Sequence, residues 1–286
     1  MKNDADFYVG WQDKASPIFA RPVAKAAIGL IVLTPLLALL LVVQQRGFSD
    51  AVFEYGQLTT VEGQLIRSPV PFIRVPVRGS TSATPLFERI LLIGLGKHGA
   101  DSTLHQWEMA HGSLTGKTLR VRGTLLYHEG RAVLELTEGA NALLTVSTPS
   151  APPAMTASIP LGKVTLSGEI TDPKCFLGVM KPGDGRPHRS CAIRCISGGV
   201  PPLLYVNDGH SGRNGYVVVG ADGEPINKQI LAYLGNRVQL RGHLEQVDNW
   251  LMLYVDAPVQ VVTTKVVDDP YRPFLSTTGQ PIALCH

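Results

Sequence analysis

Two segments of the chain resemble each other, and this duplication limits the folds that the sequence can adopt. The first contains "VEGQLI" (61–66) and "LTGKTLRVRGTLLYHEGRAVLELTEG" (114–139). The second contains "LSGEIT" (166–171) and "YLGNRVQLRGHLEQVDNWLMLYV" (233–255). Both alternate apolar and polar residues over short runs, which is typical of half-buried strands. Because a solenoid needs at least three repeats, two copies indicate two similar β-domains.

Each copy carries further signals in the same order. Gly123 and Gly242 interrupt long strands, which is typical of a bend or bulge in a small barrel. A helical stretch precedes that strand in both copies, at residues 101–112 and 226–235. This order resembles the OB-fold, a five-stranded Greek-key barrel with a helix between strands three and four. The resemblance predicts a mainly β protein with two OB-like small β-barrels.

The N-terminal region has a different composition. Residues 26–43, "AAIGLIVLTPLLALLLVV", contain no charge and are long enough to predict one transmembrane helix. A buried soluble helix and a cleaved signal peptide are the alternatives. Positive charge is concentrated before the span, which places the N-terminus in the cytoplasm. We therefore expect a bacterial inner-membrane protein with residues 47–286 in the periplasm.

These observations predict six regions along the chain. They are a cytoplasmic N-terminal segment (1–22), a transmembrane helix (23–45), a first barrel (46–147), a Pro/Ala/Ser linker (148–162), a second barrel (163–264) and a C-terminal tail (265–286).

The second copy contains a cysteine-rich insertion that the first lacks. The segment "KCFLGVMKPGDGRPHRSCAIRCISGG" (174–199) holds Cys175, His188, Cys191 and Cys195, and we place it in a loop between the first two strands. The first copy has no cysteine. A feature that one copy lacks is not needed to build the barrel, so this insertion is the candidate functional site.

Cys175, His188, Cys191 and Cys195 form a candidate metal site, because thiolate and imidazole ligands fill tetrahedral sites. If "HRSCAIRC" is helical, Cys191 and Cys195 lie one turn apart on the same face, with His188 nearby. The C-x3-C spacing is similar to that of the copper-binding pair of cytochrome-oxidase copper centres and of copper-delivery proteins. Copper and zinc are therefore the candidate ions.

Two other interpretations of the cysteines stay open. Outside the cytoplasm cysteines tend to pair, so Cys175, Cys191, Cys195 and Cys285 are candidates for disulfide bonds. Alternatively, Cys191 is a redox thiol with His188 as its base. The cations predicted to stabilise its thiolate are Lys181, Arg186, Arg189 and Arg194.

The sequence favours a non-catalytic role, although it leaves enzyme activity open. No paired-carboxylate constellation, nucleophile elbow or phosphate loop is evident. We expect an accessory or assembly subunit of a membrane redox complex, whose Cys/His loop binds metal or docks a protein partner. The alternatives are a thiol-disulfide or metal-dependent periplasmic enzyme using Cys191 and Cys195, and a module that binds an envelope polymer. A net charge of +3 and 7% aromatic residues predict no nucleic-acid partner.

Overall fold

A computed structural model describes residues 17–45, 51–77, 86–148, 158–207, 213–256 and 260–261. The predicted cytoplasmic segment up to residue 16, most of the linker, and the tail with Cys285 lie outside the described residues. The chain divides into two compact units, Met1–Phe48 and Ser49–His286.

The first unit contains helix α1 (Pro17–Gln45). Its segment Pro17–Val43 has a mean hydropathy of 2.8, and none of that apolar window is buried. Length and composition therefore suit a membrane anchor, and they suit a signal sequence as well. The predicted apolar N-terminal helix is confirmed, while its orientation and the inner-membrane location stay predictions.

The first barrel lies in the second unit. Its elements are β1 (Val52–Phe53), β2 (Thr59–Ile66), β3 (Phe72–Pro76), β4 (Phe87–Gly94), α2 (Asp101–His111), β5 (Thr118–His128), β6 (Arg131–Leu136), a 3₁₀ turn (Gly139–Ala142) and β7 (Leu143–Ser147). Strands β2, β3, β4, β6 and β5 follow one another around the sheet, and β5 pairs again with β2 to close the barrel. Strands β4 and β6 are parallel, and the other neighbouring pairs are antiparallel. This is the strand order of an OB-fold.

The second barrel repeats this order. Its elements are β8 (Ile159–Thr171), a π turn (Cys175–Val179), α3 (Gly185–Ser197), β9 (Leu203–Asn207), β10 (Arg213–Gly220), α4 (Asn227–Ile230), a 3₁₀ turn (Leu231–Tyr233), β11 (Arg237–Val247), β12 (Trp250–Val255) and β13 (Gln260–Val261). Strands β8, β9, β10, β12 and β11 close a second barrel-like sheet, with β10 and β12 parallel. The predicted fold class is confirmed. Strand β8 begins at Ile159, inside the residues that we assigned to the linker.

The two mid-strand glycines are explained by the close approach of a neighbouring strand. A Cβ atom on Gly123 would lie 2.3 Å from the carbonyl oxygen of Glu135, and one on Gly242 would lie 1.9 Å from that of Tyr254. Any side chain at these positions would collide with backbone. The repeated glycine therefore marks the same tight crossing in both barrels.

Each barrel has its own apolar interior, and a third core lies between them. In that shared core the rings of Phe72 and Trp250 lie 5.7 Å apart. The hairpin tip between β11 and β12 also reaches the first barrel, where Asp248 accepts hydrogen bonds from Arg74 (3.2 Å) and Arg89 (2.9 Å). The two barrels therefore form one packed body within the second unit.

Candidate metal centre between the barrels

The cysteine-rich insertion connects β8 to β9, as predicted, and it packs against the first barrel. In the first barrel residues 67–71 make the equivalent connection, whereas in the second residues 172–202 make it. Cys195 belongs to the shared core, together with apolar residues of both barrels. The insertion therefore lies at the junction of the two barrels.

Asp172 shapes the first turn of the insertion. Its Oδ1 accepts a hydrogen bond of 2.9 Å from the backbone N–H of Cys175, which caps the short turn that follows β8. Both residues are buried, Asp172 at 0% exposure and Cys175 at 2%. The cap fixes the Cys175 side chain close to the end of the strand.

Helix α3 supplies the other two thiols. It spans Gly185–Ser197, so the predicted helix is confirmed, with Cys191 and Cys195 one turn apart. Cys195 is 1% exposed, and Cys191 is half-buried. All three described cysteines are free thiols.

Four ligand atoms converge at this point. The sulfur atoms of Cys175, Cys191 and Cys195 and a carboxylate oxygen of Asp172 all lie within 4.8 Å of one another. The Sγ atoms of Cys175 and Cys191 are 3.6 Å apart. The structure therefore brings the three predicted cysteines together with a carboxylate as the fourth member of the group.

His188 stands beside this group rather than within it. Its Nδ1 lies 3.1 Å from the hydroxyl of Thr171, which itself donates a 2.7 Å hydrogen bond to the carbonyl of Gly183. Because the hydroxyl proton of Thr171 is used in the bond to Gly183, Nδ1 of His188 carries a hydrogen and donates it to the Thr171 oxygen. The predicted metal ligand His188 is instead positioned to support Asp172.

The contact between His188 and Asp172 leaves two buried atoms without a well-formed hydrogen bond. His188 Nε2 and Asp172 Oδ2 are 3.1 Å apart but misaligned, and neither has another hydrogen-bond partner among the described residues. Burial lowers the pKa of His188, but the nearby Asp172 carboxylate and Cys191 outweigh burial and raise it overall. A buried oxygen without a hydrogen bond is available to coordinate a cation.

The thiols differ in their affinity for protons. A hydrogen bond from Cys175 lowers the pKa of Cys195, and this effect together with the charge of Lys97 outweighs the opposing effect of burial. The same hydrogen bond and burial raise the pKa of Cys175. Cys195 is therefore positioned to become a thiolate before Cys175, and thiolates are the form that binds metal.

The cation nearest the thiols comes from the first barrel. Lys97 Nζ lies 2.7 Å from Cys191 Sγ, and this contact raises the pKa of Lys97 against a smaller opposing effect of burial. The cations that we predicted for this role are positioned differently. Lys181, Arg186 and Arg194 are exposed, and Arg189 donates its Nε–H to the carbonyl of Leu234 at 2.8 Å.

A buried ion pair fixes the loop that carries Lys97. Lys174, next to Cys175, pairs with Glu135 of β6, and both side chains are buried. Lys174 also donates to the carbonyl of Gly96 at 2.7 Å, while Glu135 accepts from the N–H of Gly96 at 2.8 Å. One residue from each barrel thus binds a backbone group of Gly96, the residue that precedes Lys97.

Backbone contacts hold the other side of the same loop. The N–H of Gly99 donates to the carbonyl of Gly198 at 2.9 Å, just beyond the end of α3. A Cβ atom on Gly198 would lie 1.9 Å from the carbonyl oxygen of Lys97. The glycines that follow the cysteines therefore let the two loops touch through their backbones.

Sequence reasoning missed Asp172 and Lys97. Asp172 had a local signal, since it lies three residues before Cys175 in "DPKC" and a carboxylate at that spacing can share a site. Lys97 had no local signal, because it lies in the other copy and reaches Cys191 only through the packing of the two barrels.

A cavity of about 610 Å³ lies elsewhere between the barrels. Residues near the C-terminal end of α3, such as Ile196 and Gly199, line it together with prolines of both barrels. Neither Asp172 nor the three cysteines line this cavity. Binding of an envelope polymer stays a prediction, since nothing in the cavity indicates a specific ligand.

Comparisons with known proteins do not identify a family. No protein-family model matches the chain, and no curated protein matches it significantly. A solved structure that does match is a deletion mutant of the single-stranded DNA binding protein from Thermus aquaticus. It is 12% identical, covers 77% of this chain and 91% of that chain, and gives a TM-score of 0.20.

This neighbour corrects the prediction about partners, which expected protein partners in a membrane complex and no nucleic acid. The prediction is wrong as stated, because the matched structure is a DNA-binding protein and nothing shows a membrane partner. At this TM-score and identity the match is no argument that the present chain binds DNA. The OB-like architecture rests on the strand order of the two barrels.

Proposed function

We propose that this protein binds one thiophilic metal ion, with zinc as the preferred ion, through Asp172, Cys175, Cys191 and Cys195. The observation that carries the proposal is the convergence of one carboxylate oxygen and three sulfur atoms within 4.8 Å. Such a set is costly to bury unless something binds it, because thiols and carboxylates without partners lose their hydration. A single cation would satisfy all four atoms at once.

The spacing of the sulfur atoms suits one metal ion. With Zn–S bonds of about 2.3 Å, two sulfur ligands of a tetrahedral zinc ion lie roughly 3.8 Å apart. Cys175 and Cys191 have their sulfur atoms 3.6 Å apart. A site of this size holds one ion with little rearrangement of the side chains.

The mixture of donors favours zinc over copper. Cu(I) prefers ligand sets made entirely of soft sulfur, whereas zinc accepts thiolate and carboxylate together. The fourth donor here is the carboxylate of Asp172. This donor distinguishes the site from the all-soft arrangement that the C-x3-C spacing alone would favour.

The surroundings offset the charge of the ligands. Three thiolates and a carboxylate exceed the charge of a divalent ion by two negative charges. Lys97 contacts Cys191, and His188, whose pKa is raised, contacts Asp172. These two groups provide the compensating positive charges, and such outer partners typically contribute roughly 10- to 100-fold to metal affinity.

The role that we propose for the metal is structural. Four protein ligands fill a tetrahedral ion, whereas catalytic zinc keeps a position open for water or substrate. The ligands join the end of β8 to α3, so the ion would lock the insertion onto the barrel and against Lys97. The roles of thiol-disulfide enzyme and of accessory subunit in a membrane redox complex stay predictions.

We further propose that α1 is an uncleaved anchor and that the metal centre lies on the periplasmic side. Support comes from the excess of positive charge before the apolar segment. Protease protection of inverted membrane vesicles tests this orientation. Protection of the barrels would agree with it, and digestion of the barrels would contradict it.

Metal analysis of the purified full-length protein tests the metal site. We expect one equivalent of zinc and, in a Cys195→Ser variant, its loss. A matched Cys285→Ser variant should retain the metal, because Cys285 is not among the four ligands. A protein that contains no metal, takes up none when zinc is added under reducing conditions, and titrates with disulfides at these cysteines would refute the proposal.

A further inference from the structure

The contact between Lys97 and Cys191 is unusually short for an ammonium group beside sulfur. The atoms Nζ and Sγ are 2.7 Å apart. N–H···O bonds span about 2.7–3.2 Å, and sulfur is a larger acceptor than oxygen, so an N–H···S bond should be longer than this range. The separation instead matches two atoms that are linked through one intervening atom.

Among the described residues Lys97 forms no ion pair with a carboxylate. Its Nζ contacts Cys191, whereas the cation Lys174 pairs with Glu135. The loop on both sides of Lys97 is held by the contacts of Gly96 and Gly99 described above. The fold thus directs this amine at the half-buried sulfur of Cys191.

We propose that Lys97 and Cys191 form a covalent nitrogen–oxygen–sulfur bridge when the metal-free protein is oxidised by hydrogen peroxide. The Lys97 ammonium first gives one proton to solvent. The S–H bond of Cys191 and one N–H bond of the resulting amine are then broken, and S–O and O–N bonds form around one oxygen atom from peroxide. Two peroxide molecules are consumed and three water molecules are released. Sulfur and nitrogen together give up four electrons, which reduce the peroxide.

Such a bridge would tie the two barrels together by a covalent bond. It would also remove Cys191 from the ligand group, so that an oxidised protein could not rebuild the four-ligand site. Only this second consequence rests on the proposed metal binding. The bridge itself depends on the Lys97–Cys191 contact alone.

Peptide mass spectrometry tests the bridge. Full-length protein in detergent is stripped of metal with a chelator, reduced, desalted and treated with hydrogen peroxide before digestion with trypsin. We expect as the major product a pair of peptides joined at Lys97 and Cys191, with one oxygen gained and two hydrogens lost. Trypsin should no longer cleave after Lys97, and dithiothreitol should restore both the cleavage and the free thiol.

Variants separate the bridge from other oxidation products. Lys97→Met and Cys191→Ser should abolish the joined peptides, while Lys163→Met, at an exposed lysine, and Cys175→Ser should retain them. A Cys175–Cys191 disulfide in place of the bridge would overturn the proposal, as would sulfinic acid at Cys191 with normal cleavage after Lys97. Because the protein is metal-free, failure to bind zinc would leave this result unaffected.

Discussion

Residues 67–71 connect β2 to β3 in the first barrel. Residues 172–202 make the equivalent connection, from β8 to β9, in the second barrel, and they contain all four proposed ligands. The frameworks are otherwise alike, with the same strand order and the same glycine at the tight strand crossing. The second barrel therefore carries the proposed ligands in one connection, on the same framework that the first barrel has without them.

The loops that follow β4 and β10 show what the first barrel contributes to the site. The N–H of Gly94 donates to the carbonyl of His98, and the N–H of Gly220 donates to that of Glu224, so the two turns correspond. Lys97 occupies the position that Gly223 has in the second copy. The first barrel thus has a cation at this position where its twin has none, and this cation contacts Cys191 of the twin.

The largest effect that we expect is loss of metal from the Cys195→Ser variant, which lacks a proposed ligand found only in the second barrel. The dissociation constant for zinc should rise by at least about 100-fold, because even partners outside the ligand set contribute roughly 10- to 100-fold. Competition with a chromophoric chelator measures this change. An unchanged affinity would show that Cys195 does not bind the metal, and that the cysteines of the second barrel have another role.

The second expected effect concerns the junction between the barrels. Replacing Lys174 with Met leaves the buried Glu135 without its partner, and breaking a buried ion pair in this way costs about 3–5 kcal/mol. We expect a clearly lower midpoint in urea denaturation of the second unit. The double variant Lys174→Met/Glu135→Leu should recover much of the loss, since it removes both buried charges.

A partly exposed ion pair within one barrel is the control. Arg122 and Glu138 both belong to the first barrel, and their side chains are 40% and 28% exposed. Arg122→Met should therefore lower the denaturation midpoint much less than Lys174→Met does. Equal losses for Lys174→Met and Arg122→Met would mean that the buried pair is not what holds the barrels together.

A third effect tests whether the first barrel completes the site. Lys97→Gln removes the cation that the twin loop also lacks at Gly223, and it should weaken zinc binding roughly 10- to 100-fold. The exposed Lys163, replaced in the same way, should have no effect on affinity. If the Lys97→Gln variant binds zinc as tightly as the unaltered protein does, the site depends on the second barrel alone.

The fold was accessible from the sequence because its signals are local. Alternating strands, the repeated glycine at 123 and 242, and the spacing of Cys191 and Cys195 depend on residues close together in the chain. A signal for the shared core was also present. The run Val217, Val218 and Val219 is buried without alternation, as expected for a strand with both faces covered.

The rest of the site depends on packing between distant residues, which periodicity does not encode. Lys97 and Cys191 are 94 positions apart, and Lys174 and Glu135 are 39 apart. The placement of His188 was also beyond the sequence, because helical spacing puts it near the cysteines without showing that Thr171 fixes its ring. The spacing of the cysteines predicted helix α3, whereas the roles of its side chains follow only from contacts with distant residues.

The smallest expected effect concerns Glu169, whose counterpart in the first barrel is Gln64. Burial raises the pKa of Glu169, although its hydrogen bond from the N–H of Gly185 partly opposes this. A raised pKa in the folded state means that Glu169 favours folding below the unfolded value of about 4.3, and that this contribution is lost as pH rises through the folded value. The urea midpoint of the unaltered protein should therefore include a stabilising contribution that falls as pH rises through this range.

Glu169→Gln makes the second barrel resemble the first at this position, so that component should disappear. Because glutamine does not titrate, the variant should gain stability relative to the unaltered protein as pH rises above about 4. Glu62→Gln, at an exposed glutamate of the first barrel, should leave the profile unchanged. If stability depends on pH in the same way for Glu169→Gln and for the unaltered protein, the ionised Glu169 side chain does not destabilise the second barrel.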